Sequence, residues 1–365
     1  MPASRHITIL VCLTVIAAFG LAPSATAQSG KQTKHVRLLT VGNSFTHNAT
    51  RFLDDIAEAA GHKLTHQMLS IGGSTLERHA DKALAFEADS DDPKAVYSNG
   101  NSLQEALQSE PWDFVTIQQV SIKSHDIDTY RPHASRLAEI IHRDAPKAQL
   151  LVHQTWAYRK DDSRFEGSDR SDGEPTTQAA MYRGLSDAYQ TITAELNARR
   201  IPVGDAFWAA DNDPKFGYRV SQDFDFALAD YPALPDQTHS LHVGYRWDQR
   251  GPSRTLRMDG HHANLAGEYL GACVWFECLF GESAVGNDFI PKGLDKDYAR
   301  FLQKTAHQAA TQGGDVILSW AAPGSASHGS ASRTAIAVGT AVAGGPPHRS
   351  VREGFPHTAP ALSRA

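Results

Sequence analysis

The sequence predicts an α/β domain: a mostly parallel five-stranded sheet with helices covering both of its faces. Three observations lead there. Short apolar runs rich in β-branched residues recur between residues 35 and 208. Between them lie stretches of helical period, closed by stop signals such as Gly61 and Pro146. The resulting order, β-α-β-α-β-α-β-α-β, implies right-handed crossovers and a parallel sheet buried between helices.

HVRLLTVG, residues 35–42, reads as a buried strand. THNATRFLDDIAEAAG follows as one helix, with Phe52, Ile56 and Ala59-Ala60 on one stripe and Gly61 as its stop. HKLTHQMLSIGG alternates like a strand and ends on Gly72-Gly73. SLQEALQS is a short helix, and PWDFVTIQQ is the third strand, opened by Pro111. RPHASRLAEIIHRDAP is amphipathic through Leu137, Ile140 and Ile141, and AQLLVHQTW is the fourth strand. A long helix is expected over about 176–199, then a fifth strand in IPVGDAFW. The segment from about Asp211 to Met258 breaks this rhythm with interleaved Asp, Pro, Tyr and Trp. A long structureless loop is uncommon in a compact domain unless it serves function, so this is read as an insertion near the site. NLAGEYLGACVWFECLFG is a strongly apolar helix, and a last amphipathic helix spans about 295–311.

The two ends read differently. MPASRH, the apolar run ITILVCLTVIAAFGLA and the Ala25-Thr26-Ala27 pattern have the layout of a secretory signal peptide cleaved after Ala27. The run is short for a membrane anchor, so no stable membrane insertion is expected after cleavage, and the mature protein would be periplasmic or secreted. From residue 321 the chain is rich in Ala, Gly, Ser and Pro and is expected to be a disordered tail. The catalytic domain is then 34–320. The net charge is −6 and the basic residues are scattered, so no nucleic-acid partner is expected. Cys273 and Cys278, spaced i, i+5 on a helix, point to different faces and read as buried thiols rather than a disulfide.

Functional groups in an open parallel sheet gather at the carboxyl ends of the strands. Ser44 sits at the carboxyl end of the first, where it either caps the next helix or presents a reactive hydroxyl. Far down the chain, MDGHHAN places Asp259 three residues before His262. That spacing in a turn lets the carboxylate fix the imidazole tautomer through Nδ1–H, leaving Nε2 to accept a proton from a serine hydroxyl.

GNSFT, GGSTLERH, DFVTIQQVS and MDGHHANLAGEYLGACVWFECLFG together resemble the SGNH/GDSL hydrolase superfamily, in its bacterial DUF4886-like branch. The resemblance implies a three-layer α/β/α, flavodoxin-like fold and a serine esterase. It implies Ser44 as nucleophile, His262 as general base and later acid, and Asp259 as the group orienting it. It also implies an oxyanion hole built from the backbone N–H groups of Ser44 and Gly73. The superfamily's third block usually carries an Asn donor, but here the strand runs into TIQQVS. Gln118 is the proposed substitute and Gln119 the reserve, since neighbouring strand residues face opposite ways. The other reading is that either glutamine satisfies backbone groups.

His153, Trp156 and Tyr158 lie at the end of the fourth strand, where rings and polar tips suit a sugar, or, for Trp156, packing against the insertion. His261 is a candidate substrate contact beside His262. A zinc set drawn from His239, His242, Asp259, His261 and His262 lacks a partner at ligand spacing for the first pair, and no metal or cofactor is expected. The leading expectation is an exported esterase for small acyl esters, O-acetyl above all, on a small-molecule or polysaccharide carbohydrate. A lipase-like esterase for longer acyl chains and a non-catalytic glycan-binding module are the alternatives.

Overall fold

The structure is a computed structural model that describes residues 32–166, 174–249 and 254–312. The signal-peptide and tail expectations, residues 1–27 and 321–365, lie outside the described residues. The sheet has five parallel strands: β1 (His35–Gly42), β2 (Lys63–Ser70), β3 (Phe114–Ile117), β4 (Gln149–His153) and β5 (Arg199–Ile201). Their order is β2-β1-β3-β4-β5, with β1 hydrogen-bonded to both β2 and β3. This is the doubly wound arrangement, and it puts the end of β1 at the point where the strand order reverses.

The helices are α1 (Ser44–Thr50), α2 (Leu53–Ala59), α3 (Leu76–Ala88), α4 (Leu103–Ser109), α5 (His133–Asp144), α6 (Gln178–Glu195), α7 (Val203–Asp211), α8 (Leu265–Phe280) and α9 (Lys296–Gln312). Helices α3, α4 and α5 pack on one another, whereas α8 packs against α1, α2, α7 and α9. Two helical layers therefore enclose the sheet, giving the three-layer α/β/α fold. Helix α8 is the centre of its layer. Trp275, Phe276, Leu279 and Phe280 are all buried, each such side chain contributing roughly 1.5–3 kcal/mol. Cys273 and Cys278 are both free thiols.

Four details depart from the sequence reading. The helix expected after β1 is two, with Phe52 off helical geometry between α1 and α2. Helix α3 was not anticipated. Most of IPVGDAFW is helix α7, and only its first residue belongs to β5. The insertion contains an antiparallel pair, β6 (His242–Asp248) and β7 (Thr255–Ala263). Asp259 and His262 therefore lie on a strand rather than in a turn.

Candidate active site

Strand β1 stops at Gly42 because a side chain there cannot fit. A Cβ would lie 2.2 Å from Thr46 Oγ1, so only glycine lets α1 fold back across the strand end. The N-cap is Asn43, whose Oδ1 accepts the Phe45 N–H at 3.0 Å. The capping role that competed for Ser44 is thus filled, and the partly exposed Ser44 opens the helix with its hydroxyl available. Asn43 also donates from Nδ2 to Ser74 O at 3.0 Å and accepts from Gln118 Nε2 at 2.8 Å. One buried amide therefore joins the ends of β1 and β3 and the loop after β2.

Ser44 Oγ lies 2.9 Å from His262 Nε2, across 218 residues of chain. His262 Nδ1 lies 3.0 Å from Asp259 Oδ2. The other carboxylate oxygen accepts the backbone N–H of His262 at 3.1 Å and of His261 at 3.4 Å. Burial works to raise the Asp259 carboxyl, but the hydrogen bonds from His262 and the two nearby rings outweigh it, and the group stays below the ordinary carboxylate range. An ionised Asp259 places the imidazole proton on Nδ1, so Nε2 offers its lone pair to the hydroxyl. Such a hydroxyl–imidazole–carboxylate chain can generate a nucleophilic oxygen at neutral pH.

Residues missed by the sequence reading hold this geometry. Asn48, one turn after Ser44, accepts the Ala263 N–H at 3.2 Å and donates to Glu268 Oε1 at 3.1 Å. Arg51 pairs with the same Glu268 at 3.0 Å. Helix α1 is thereby tied to the residue next to His262. The spacing Ser44–Asn48 was the available signal, since i and i+4 share a helix face. Asn264 caps α8 and also donates from Nδ2 to Ser240 O and His242 O, fixing the insertion to the same corner.

Among the described residues no protein acceptor takes the N–H of Ser44 or of Gly73. Gly73 is exposed with φ +64°, a conformation that disfavours any side chain, and its loop is held by the Asn43–Ser74 bond. Ser74 Oγ in turn meets His79 Nε2 at 2.6 Å, and His79 Nδ1 meets Tyr97 OH at 2.8 Å. Burial lowers His79 to about 4, so this support is uncharged at neutral pH.

Several of the remaining expectations need correction. Gln118 is buried, and its amide is occupied within the fold. Its Oε1 accepts from Thr46 Oγ1 and meets His153 Nδ1 at 2.9 Å, while Nε2 serves Asn43. It positions Asn43 rather than facing the Ser44 hydroxyl. Gln119 is also buried: its Oε1 accepts from Leu76 N and Val120 N, and its Nε2 donates to Thr129 O. It satisfies backbone groups and is no substrate contact. His153 is wholly buried against Trp275, with burial lowering it to about 3.

Trp156 is equally buried, between Phe45 (ring centroids 4.3 Å) and Phe207 (4.5 Å), and donates to His261 O at 2.9 Å. It is a support beneath the site, placed by packing. Tyr158 is buried too, its OH 3.0 Å from Ser121 Oγ, and only His261 of the expected substrate contacts stands partly exposed beside the Asp259–His262 pair, next to the Tyr158 ring. The Tyr158 and His261 rings are 5.6 Å apart, and His261 lies 4.2 Å from His262. His261 Nδ1 is 3.2 Å from Asp259 Oδ1.

Among the described residues, Asp259, His261 and His262 form the one group whose ligand atoms converge closely enough for a metal ion. One of them, His262, meets Ser44, and Asp259 is its partner. His242 stands apart from them, buried, with Nε2 3.0 Å from Ala157 O.

Residues 37–212 match the family described as Domain of unknown function (DUF4886). A DUF4886 family protein from Bacteroides uniformis ATCC 8492 superposes with a TM-score of 0.57 at 25% identity, over 78% of this chain and 97% of that one. Over residues 37–212 the chain is similar to the DUF4886 family, and it shares its three-layer α/β/α fold with the Bacteroides uniformis protein. Two other solved structures are more remote from this chain. One is the periplasmic domain of a lipopolysaccharide acetyltransferase from Salmonella ser. Paratyphi A, with 11% identity, 69% of this chain, 84% of that one and TM-score 0.37. The other is Est24, a carbohydrate acetylesterase from Sinorhizobium meliloti, with 16% identity, 47% of this chain, 85% of that one and TM-score 0.27. No curated protein matches the sequence. The family match ends at residue 212, so it includes Ser44 but neither Asp259 nor His262.

Proposed function

We propose that this protein is an exported serine esterase that removes small acyl groups, O-acetyl in the first place, from carbohydrates. The observation that carries the reading is the contact of Ser44 Oγ with His262 Nε2 at 2.9 Å, backed by Asp259 at 3.0 Å. In the proposed reaction His262 Nε2 takes the Ser44 proton as Oγ attacks the ester carbonyl carbon. The oxyanion of the tetrahedral intermediate is held by the N–H groups of Ser44 and Gly73, each donor supplying about 2.7–4 kcal/mol of transition-state stabilisation. His262 then returns the proton to the leaving alcohol oxygen as the bond between that oxygen and the acyl carbon breaks, releasing the sugar alcohol and leaving the acyl group on Ser44. Water, deprotonated by the same nitrogen, attacks the acyl-serine, and the carboxylic acid leaves as Ser44 regains its proton.

Support for a sugar ester comes from the partly exposed His261 imidazole, 4.2 Å from the His262 ring and able to meet a hydroxyl group. The predicted leader and its Ala25-Thr26-Ala27 cleavage pattern support export. The test is hydrolysis of p-nitrophenyl esters of increasing acyl length by wild type and Ser44→Ala. The expected result is preference for acetyl and loss of kcat by roughly 10^6 in the variant. Equal rates for the two proteins overturn the reading, and a preference for long acyl chains replaces it with the lipase-like one.

A further inference from the structure

A cavity of about 540 Å³ opens on the far side of the loop that backs the Asp259–His262 segment. Its volume lies within the range of small-molecule sites. The loop, residues 159–166, belongs to both places. Arg159 N donates to Gly260 O at 2.7 Å, and Asp162 packs directly on Gly260. Asp162 also caps the short 3-10 turn Ser163–Phe165 by accepting the Arg164 N–H at 2.9 Å. Phe165 in that turn lines the cavity and lies 6.4 Å from Tyr158, which itself faces His261. Packed rings thus connect His261, through the buried Tyr158, to Phe165 at the edge of the cavity, where Phe226 and Tyr245 of the insertion pack at 4.8 Å. Phe226 is 47% exposed, so a ring face is open to a ligand.

The chemistry of the lining narrows the ligand. Lys160 is the one amine against the three carboxylates Asp161, Asp162 and Glu166. That amine is directed at the carbonyls of Asp211 (2.8 Å) and Tyr218 (3.4 Å), and Asp161 is paired with Arg159 at 2.6 Å. The remaining carboxylates repel a polyanion. They and the Thr176 hydroxyl can serve neutral hydroxyl groups, while the aromatic faces cover C–H surface. Leu228, Tyr231 and Leu234 continue the exposed apolar run beyond Phe226, but Asp225 and Asp230 alternate with them, which disfavours an anionic bilayer.

We propose that this cavity is a subsite for an uncharged polysaccharide, holding sugar units next to the one whose ester reaches Ser44. The proposal deepens the esterase reading and rests on it for the ester, but the binding itself is independent of turnover. The experiment therefore has two arms. In the first, binding of unacetylated xylo-oligosaccharide to Ser44→Ala protein is measured by calorimetry, with polygalacturonate and anionic phospholipid vesicles alongside. The neutral oligosaccharide is expected to bind, and Phe226→Ala in that background to weaken it on the order of tenfold.

In the second arm, KM is compared for acetylated xylo-oligosaccharide and p-nitrophenyl acetate. Phe226→Ala is expected to raise KM for the oligosaccharide about tenfold more than for the small ester. Glu166→Gln, which keeps the shape and removes the charge, is expected to relax the exclusion of polygalacturonate. Binding without any esterase activity in the wild type sinks the esterase reading and leaves the subsite standing. Turnover with an equal effect of Phe226→Ala on both esters overturns the subsite, as does a preference for polygalacturonate or vesicles.

Discussion

Asp211 closes α7 where the insertion begins, and it is fully buried. Gln178 Nε2 donates to its Oδ2 at 2.7 Å, but Asp211 Oδ1 and Gln178 Oε1 have no hydrogen-bond partner among the described residues. Burial raises the carboxyl from 3.8 to about 6, against the opposing effects of Gln178, Lys160 and Arg159, with Asp161 adding to the rise. A folded-state value above the unfolded one means that the fold favours the neutral acid. The cost of ionisation is absent below about pH 4, grows as pH rises toward 6, and is then constant. A rise of roughly two pH units corresponds to about 3 kcal/mol at neutral pH. Replacement by asparagine removes that cost and supplies an amide N–H for Gln178 Oε1. The Lys160 ammonium loses a favourable neighbour, which lowers the expected gain to about 2 kcal/mol. Thermal unfolding at pH 7.5 should therefore show Asp211→Asn melting roughly 4–8 °C above wild type. At pH 4 the difference should close. A variant that is no more stable at pH 7.5, or a gap of equal size at both pH values, refutes the argument.

Asp259→Asn should lower kcat by about 10^4, less than Ser44→Ala, because it leaves hydroxyl and imidazole in place but removes the charge that sets the tautomer. Unchanged steady-state kinetics in the variant remove Asp259 from the proposal. Asn48→Ala cuts the bond between α1 and the Ala263 N–H and should lower kcat about tenfold, with KM within about twofold, because it loosens the nucleophile relative to the base without touching substrate. A rise in KM at constant kcat counts against that positioning role.

Much of the fold was legible because the strands are continuous apolar runs between recognisable stops. The failures have identifiable causes. Helix α3 buries Leu76, His79, Ala80 and Ala83, a stripe of mostly small or polar side chains that carries little hydrophobic periodicity. IPVGDAFW is a short apolar run, for which strand and helix patterns coincide, and the chain resolves it as a helix immediately after Pro202.

At the site, Ser44, Asp259 and His262 were readable because their separation along the chain is bridged by fold topology, and each sits in a local pattern with its own chemistry. Gln118 was not readable, because the partners of an amide come from elsewhere: Thr46 from α1, Asn43 from the end of β1, and His153 from β4. The same holds for Trp156, whose ring sits between Phe45 and Phe207. Both lie at strand ends, where a sequence reading expects substrate contacts, yet both are turned inward. A parallel sheet buried on both faces needs its strand ends sealed as well as functional. In this protein the large and amide-bearing residues form the seal, and the small ones, Ser44 and Gly73, remain at the surface.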